Sequence, residues 1–197
     1  LAVVVRDGRT ALAWYTWDET ISHPRWYVTP GTPLEQDLLL YAADGVFADP
    51  EEHERWQIGT CRLEFTGPAS AYFHWHTSEH DRGAMELTAL SLCPSAMWYD
   101  PARDGEGLTL HYPDERCVGY WYTYGQQGDQ RWFYLEGELR RGAYRLQIYE
   151  PKGGRFHRFD KVTMEPAGKA ALHGGRLEYN LRAGIGAEGV MGLELLV

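Results

Sequence analysis

Residues Val118–Gly137 read VGYWYTYGQQGDQRWFYLEG, two aromatic runs on either side of a Gly/Gln/Asp turn. Bulky side chains in strand-type runs, interrupted by turn-forming residues, mark a β-hairpin. A degraded copy of the same hairpin stands at Ala11–Gly31, ALAWYTWDETISHPRWYVTPG. Outward from these two hairpins the chain keeps repeating itself. LAVVVRDGRTALAWYTWD from Leu1 lies over LTLHYPDERCVGYWYTYG from Leu108 at an offset of 107. LLLY at Leu38–Tyr41 meets LQIY at Leu146–Tyr149, and Gly45-Val46-Phe47 meets Gly154-Arg155-Phe156. Ala71–Trp75 meets Leu177–Leu181, and GAMELTAL from Gly83 meets GVMGLELL from Gly189. An offset that drifts by only a few residues over such a length indicates duplication with small loop insertions.

Within the second copy, strand-like runs fall at about Glu106–Tyr112, Arg116–Tyr124, Gln130–Leu139, Ala143–Glu150, Lys161–Glu165, Ala170–His173, Arg176–Arg182 and Gly189–Val197. Short links between successive strands favour an antiparallel meander. Seven or eight such strands close most simply into a small up-and-down barrel, with a two-sheet sandwich as the alternative. The expected architecture is all-β, with tandem domains at Leu1–Leu92 and Cys93–Val197. AMWYDPARDGEG precedes Leu108 and nothing precedes Leu1, so the first unit reads as one opening strand short.

Composition agrees with this class. The 197 residues include 13 Tyr, 8 Trp and 22 Gly, material for pleated aromatic faces and tight turns. Mean hydropathy is −0.47, and no apolar run approaches the roughly 20 residues of a membrane-spanning helix. The net charge of −9 argues against nucleic acid as a partner. Residues 1–92 hold 6 Arg, no Lys and 14 acidic residues, a net of −8, whereas residues 93–197 are nearly neutral. Three cysteines, Cys61, Cys93 and Cys117, allow at most one internal disulfide and form no CxxC pair.

Trp98–Gly107 (WYDPARDGEG), Tyr120–Tyr124 (YWYTY) and Gln130-Arg131-Trp132 resemble a repeat of exported bacterial proteins, often lipoproteins, with a WYDPARSGEG opening, a YWFTYD strand and an RW strand. The resemblance covers the second unit, and the first through the duplication. It implies a β-rich exported domain, periplasmic, outer-membrane-associated or extracellular, and brings no catalytic residues. It also implies a Cys61–Cys93 bridge, with Cys61 several residues early for its place.

Four groups of residues carry candidate chemistry. His74, His76 and His80 lie in YFHWHTSEHD, and imidazoles at such spacing suit zinc or copper. Through the repeat, His74 and His76 align with Asn180 and Arg182, an outward polar row. DPARDGEG places Asp100, Asp104 and Glu106 around Gly105 in the manner of a calcium loop, but Ala102 and His111 stand where oxygen ligands are required. The alternative there is a turn in which Asp100 bonds its own backbone. Tyr120, Tyr122, Tyr124, Trp132 and Tyr134 form alternating rows that would either bind sugars or proteins from the surface or pair across strands. Finally, the loops after LLLY and LQIY have opposite signs. One carries Asp49, Glu51, Glu52 and Glu54, the other Lys152, Arg155, Arg158 and Lys161, and they can meet within a chain or between chains.

No GxSxG, HExxH or phosphate-binding glycine loop is present. The expected function is a non-catalytic exported subunit that binds or assembles with protein partners, or with itself, and needs no cofactor. The alternatives are a zinc- or copper-dependent hydrolase on His74, His76 and His80, and a glycan-binding module on the aromatic rows.

Overall fold

The computed structural model describes residues 1–18, 23–33, 37–46, 49–89, 95–103, 106–154, 161–183, 185 and 188–195. All regular structure among them is β. The first half contains β1 (Ala2–Arg6), β2 (Arg9–Trp17), β3 (Pro24–Val28), β4 (Thr32–Pro33), β5 (Leu38–Val46), β6 (Asp49–Gly67), β7 (Ser70–Thr77) and β8 (Asp81–Thr88). The second contains β9 (Ser95–Tyr99), β10 (Gly107–His111), β11 (Arg116–Tyr124), β12 (Gln130–Arg140), β13 (Ala143–Lys152), β14 (Thr163–His173), β15 (Arg176–Leu181), β16 (Glu188–Gly192) and β17 (Glu194–Leu195).

Each half is an antiparallel meander, in the order β1-β2-β3-β5-β6-β7-β8 and β9-β10-β11-β12-β13-β14-β15-β16, with β4 beside β2. In the second half, β17 follows β16 after one residue and pairs with β9, which brings the two ends of the sheet together in a nearly closed barrel. The first half is a half-barrel. Its end strands β1 and β8 each have one partner among the described residues, so the expected pair of all-β, barrel-like meander domains is present, one nearly closed and the other an open half-barrel. Two runs expected as separate strands, Lys161–Glu165 and Ala170–His173, join into β14 because Pro166 sits at the bulge opposite Ile148/Tyr149 and does not end the strand.

The two halves share their registers. Val3 pairs with Leu12 as Leu110 pairs with Gly119, and Trp14 pairs with Tyr27 as Trp121 pairs with Phe133. A bulge falls between Leu40 and Tyr41 and again between Ile148 and Tyr149. Beside it, Gly59 and Gly168 each lie under a cross-strand carbonyl. A Cβ on Gly59 would sit 2.0 Å from His76 O, and one on Gly168 would sit 2.3 Å from Asn180 O. These glycines correct the alignment of the late strands. Trp75, which pairs with Cys61 and Gly83, corresponds to Tyr179, which pairs with Ala170 and Gly189. The hairpin after β6 is longer than the one after β14, which shifts the match by two residues. A shift of two keeps every side chain on its own face.

Each half packs its own core. Leu12, Trp14, Tyr27, Leu40, Phe73 and Trp75 fill the first, while Leu108, Leu110, Trp121, Phe133, Ile148 and Tyr179 fill the second. Two further clusters draw on both halves: Val4, Ala11 and Ala13 with Met97, and Trp26 and Ala43 with Tyr122 and Tyr124.

Candidate functional site

The aromatic rows of β11 and β12 face the other half of the molecule. Tyr120 stacks on Tyr15 with ring centroids 4.8 Å apart, Trp132 packs edge-on against Trp17, and Tyr122 and Tyr124 flank Trp26. Tyr122, Tyr124 and Trp132 are buried, and only Tyr120 and Tyr134 keep partial exposure. The aromatic rows, read from the sequence as either a binding surface or cross-strand pairs, form an internal interface between the halves. The physical reason lies in the repeat: β2 and β3 present the matching row Tyr15, Trp17 and Trp26, and two half-polar aromatic faces bury each other. The contact has approximate two-fold symmetry. Trp26 Nε1 donates to Thr123 O at 3.0 Å, and its counterpart Trp132 donates to Thr16 O, the counterpart of Thr123, at 3.3 Å. Buried Gln130 breaks the symmetry, donating to Trp26 O (3.1 Å) and Ala43 O (2.9 Å).

The three histidines do not come together. Along β7, Ala71, Phe73, Trp75 and Thr77 point inward, while Tyr72, His74 and His76 are exposed. His80 lies on the opposite, buried side, where Tyr27 Oη is 2.8 Å from its Nε2 and Trp14 packs against its ring. A zinc or copper site built on all three is not formed, because His74 and His76 point outward from β7 while the turn after it folds His80 into the core. No group of three His, Cys, Asp or Glu side chains is arranged for a metal among the described residues.

The DPARDGEG segment is organised around a cation of its own. Arg103 lies 3.6 Å from Asp100 and 4.0 Å from Glu106, and donates to Tyr179 Oη (3.1 Å) and Val190 O (3.2 Å). Glu106, fully buried, accepts from Thr123 Oγ1 at 2.9 Å. Asp100 accepts from the Ala102 amide at 2.9 Å, the local turn bond expected of it. The guanidinium therefore sits between the two carboxylates that the calcium reading needed. Asp104 lies outside the described residues.

Of the charged loops, Lys152 pairs with Glu150 of its own strand at 2.8 Å. Gly154 lies against the indole of Trp17, where a Cβ would come within 2.0 Å of Cε2. Gly154, which follows β13, is thus seated on the first half of the same chain. The acidic stretch expected as a loop is strand: Asp49, Glu51, Glu52 and Glu54 lie in β6, where exposed Glu54 sits opposite Asp44 of β5, and Lys161 is exposed before β14. Arg155 and Arg158 lie outside the described residues, as do the side chains of Asp49, Glu51 and Glu52.

Cys61 and Cys117 are free thiols buried in the two cores, and Cys93, the implied partner of Cys61, lies outside the described residues. Burial pushes both thiols up to about 12, helped at Cys61 by Asp37. At pH 8 a thiol reagent is expected to modify neither until denaturant is added. Unfolded thiols ionise near about pH 8.5. The stability gained by keeping these two neutral is complete below that pH and declines as pH rises toward 12. Modification of either thiol in the native protein at pH 8 would contradict the packing.

The sequence reads the first unit as one opening strand short, and the structure adds the apolar side chains exposed beside that place. On the open side of the half-barrel, inward-facing apolar side chains remain exposed: Val5 (48%), Phe65 (52%) and Leu1 (36%). Val3, Leu63, Met85 and Leu87 beside them are only partly buried against the first core. The counterparts of Leu1, Val3, Leu63, Met85 and Leu87, namely Leu108, Leu110, Leu172, Met191 and Leu193, are buried in the second half, and Tyr112, the counterpart of Val5, is partly buried. The difference is one strand, since β9 covers this place in the second barrel. A shallow groove of about 730 Å³ on the second barrel is lined instead by mixed charges, among them Arg116, Glu136, Arg145 and Lys169. Compared with protein-family models, with curated proteins and with solved structures, the chain matches none.

Proposed function

We propose that the protein is a non-catalytic, exported binding or assembly subunit that acts through its surfaces, and that the working surface is the open side of the half-barrel. The observation that carries this reading is the exposure of Leu1, Val5 and Phe65 on the inner face whose other apolar members, Val3, Leu63, Met85 and Leu87, are only partly buried against the first core. Apolar side chains exposed on one sheet face mark interaction sites. The end strands β1 and β8 have one partner each among the described residues, which favours a polypeptide that adds to a strand edge. Glycan binding loses its support, since most of the aromatic row is used inside the molecule. The resemblance of Trp98–Gly107 to exported repeats supports the location.

A photoreactive phenylalanine analogue at Phe65 tests the reading in the native host. Polypeptide adducts are expected at Phe65 and not at Leu139, an equally exposed position on the second barrel (44%). Equal yields at the two positions, or none at Phe65, would refute it.

A further inference from the structure

We infer that the mouth of the second barrel, at the end carrying the Arg141-Gly142 and Gly174-Gly175 turns, binds a small, neutral molecule made of an aromatic ring and one hydrogen-bond acceptor. The site is separate from the open side of the half-barrel, so the two readings can fail independently.

The alternation along β12 places it. Phe133, Leu135 and Leu139 share the inward face, yet Phe133 and Leu135 are buried while Leu139 is 44% exposed. Leu139 belongs to the end layer of the barrel, which runs across the strands through Tyr144, Leu172, Leu177 and Met191. Leu177 and Met191 are fully buried and close one side of that layer. On the other side a cavity of about 220 Å³ remains between Trp98, Tyr112, Leu139, Tyr144, Leu172 and Leu193. The rest of its wall is hairpin backbone at Gly142, Gly174 and Gly175. These glycines take positive φ, where a side chain would be strained, so the turns stay bare and put no lid on the opening.

The walls define what fits. Trp98, Tyr112 and Tyr144 are aromatic, with the two tyrosine rings 5.5 Å apart between centroids, and three leucines complete the surface. The volume exceeds the roughly 150 Å³ in which an apolar protein cavity takes up benzene, so one ring with a short substituent is accommodated. No Lys, Arg, Asp or Glu is among the described residues that line the cavity, and His173 at its edge is engaged by Glu178 at 3.2 Å. A neutral molecule is therefore favoured. Trp98 Nε1 is shielded from water and makes no hydrogen bond of full geometry among the described residues, only a weak approach to the Tyr112 hydroxyl. An acceptor on the ligand would complete that bond, which a buried N–H otherwise forgoes at a cost. A strand cannot add here, because the opening is edged by the β12–β13 and β14–β15 hairpins, whose backbones already pair. Apolar walls with a single placed donor are the usual make-up of ligand sites in barrel mouths.

The test titrates the full chain with acetophenone, followed through the Trp98 indole N–H and the Leu139 and Leu172 methyl resonances. Saturable binding of one molecule per chain is expected, with a dissociation constant of about 0.1–1 mM. α-Methylstyrene has nearly the same shape but carries CH2 in place of the oxygen, and should bind roughly fivefold more weakly. Trp98→Phe keeps a ring in the wall and removes the donor, so both compounds should bind it about equally. Leu139→Trp fills the opening from an exposed position and should weaken both by about tenfold, with an unchanged circular dichroism spectrum. Absence of saturable binding in the millimolar range, shifts confined to other residues, or unchanged affinity in a folded Leu139→Trp would each overturn the site. Equal binding of the two compounds to the wild type, or a preference that persists in Trp98→Phe, would overturn the acceptor requirement and with it the inference.

Discussion

Trp26→Ala is expected to lower the unfolding free energy by about 3–5 kcal/mol, the range for removing a large buried aromatic. Trp26 is fully buried between the halves, with its ring against Tyr122 and Tyr124. Truncation removes those contacts and also takes the indole donor from Thr123 O. Its counterpart Trp132 is 6% exposed and makes the equivalent bond to Thr16 O, so Trp132→Ala should be similar in kind and somewhat smaller. Urea unfolding followed by tryptophan fluorescence measures both. Because the interface joins two separately packed cores, the Trp26 variant should also separate one transition into two. A loss below about 1 kcal/mol with a single transition would mean that the halves do not depend on this contact.

The second large effect is at Arg103. Arg103→Met leaves buried Asp100 and Glu106 beside each other without the guanidinium. Breaking a buried ion pair from one side costs about 3–5 kcal/mol, chiefly because a charge is stranded away from water. The double variant Arg103→Met/Glu106→Gln removes one stranded charge and should recover about 1 kcal/mol or more at pH 7. No recovery in the double variant would show that Arg103 acts through packing alone.

Local pattern was enough for much of this. The alternation of Tyr120–Tyr124 and Trp132–Leu135 around a Gly/Asp turn indicated β11 and β12, and β11 spans Arg116–Tyr124 as read. The turn chemistry was equally legible. Asp7-Gly8, Arg141-Gly142 and Gly174-Gly175 all take positive φ in two-residue hairpin turns, a requirement written into the residues themselves. The outward placement of His74 and His76 followed from the period of two, and it survived an alignment displaced by two residues because face depends only on parity.

The sequence by itself determined the strands, their turns, the faces of their side chains and the duplication of the unit. Those are short-range properties, set by backbone sterics and by alternation along one segment. Tertiary structure alone decided which aromatic face is core and which is interface, because Tyr122 and Trp121 differ only in what lies across from them. It also decided that Arg103 neutralises Asp100 and Glu106, and that His80 turns away from His74 and His76. The opening strand missing from the first unit was legible in the repeat, whereas the near-closure of the second sheet was decided by tertiary structure. Closure depends on a single strand, β9, that meets β17 at one end of the sheet and has no counterpart beside β1 among the described residues. Pairing between segments some hundred residues apart leaves no mark in the local pattern of either.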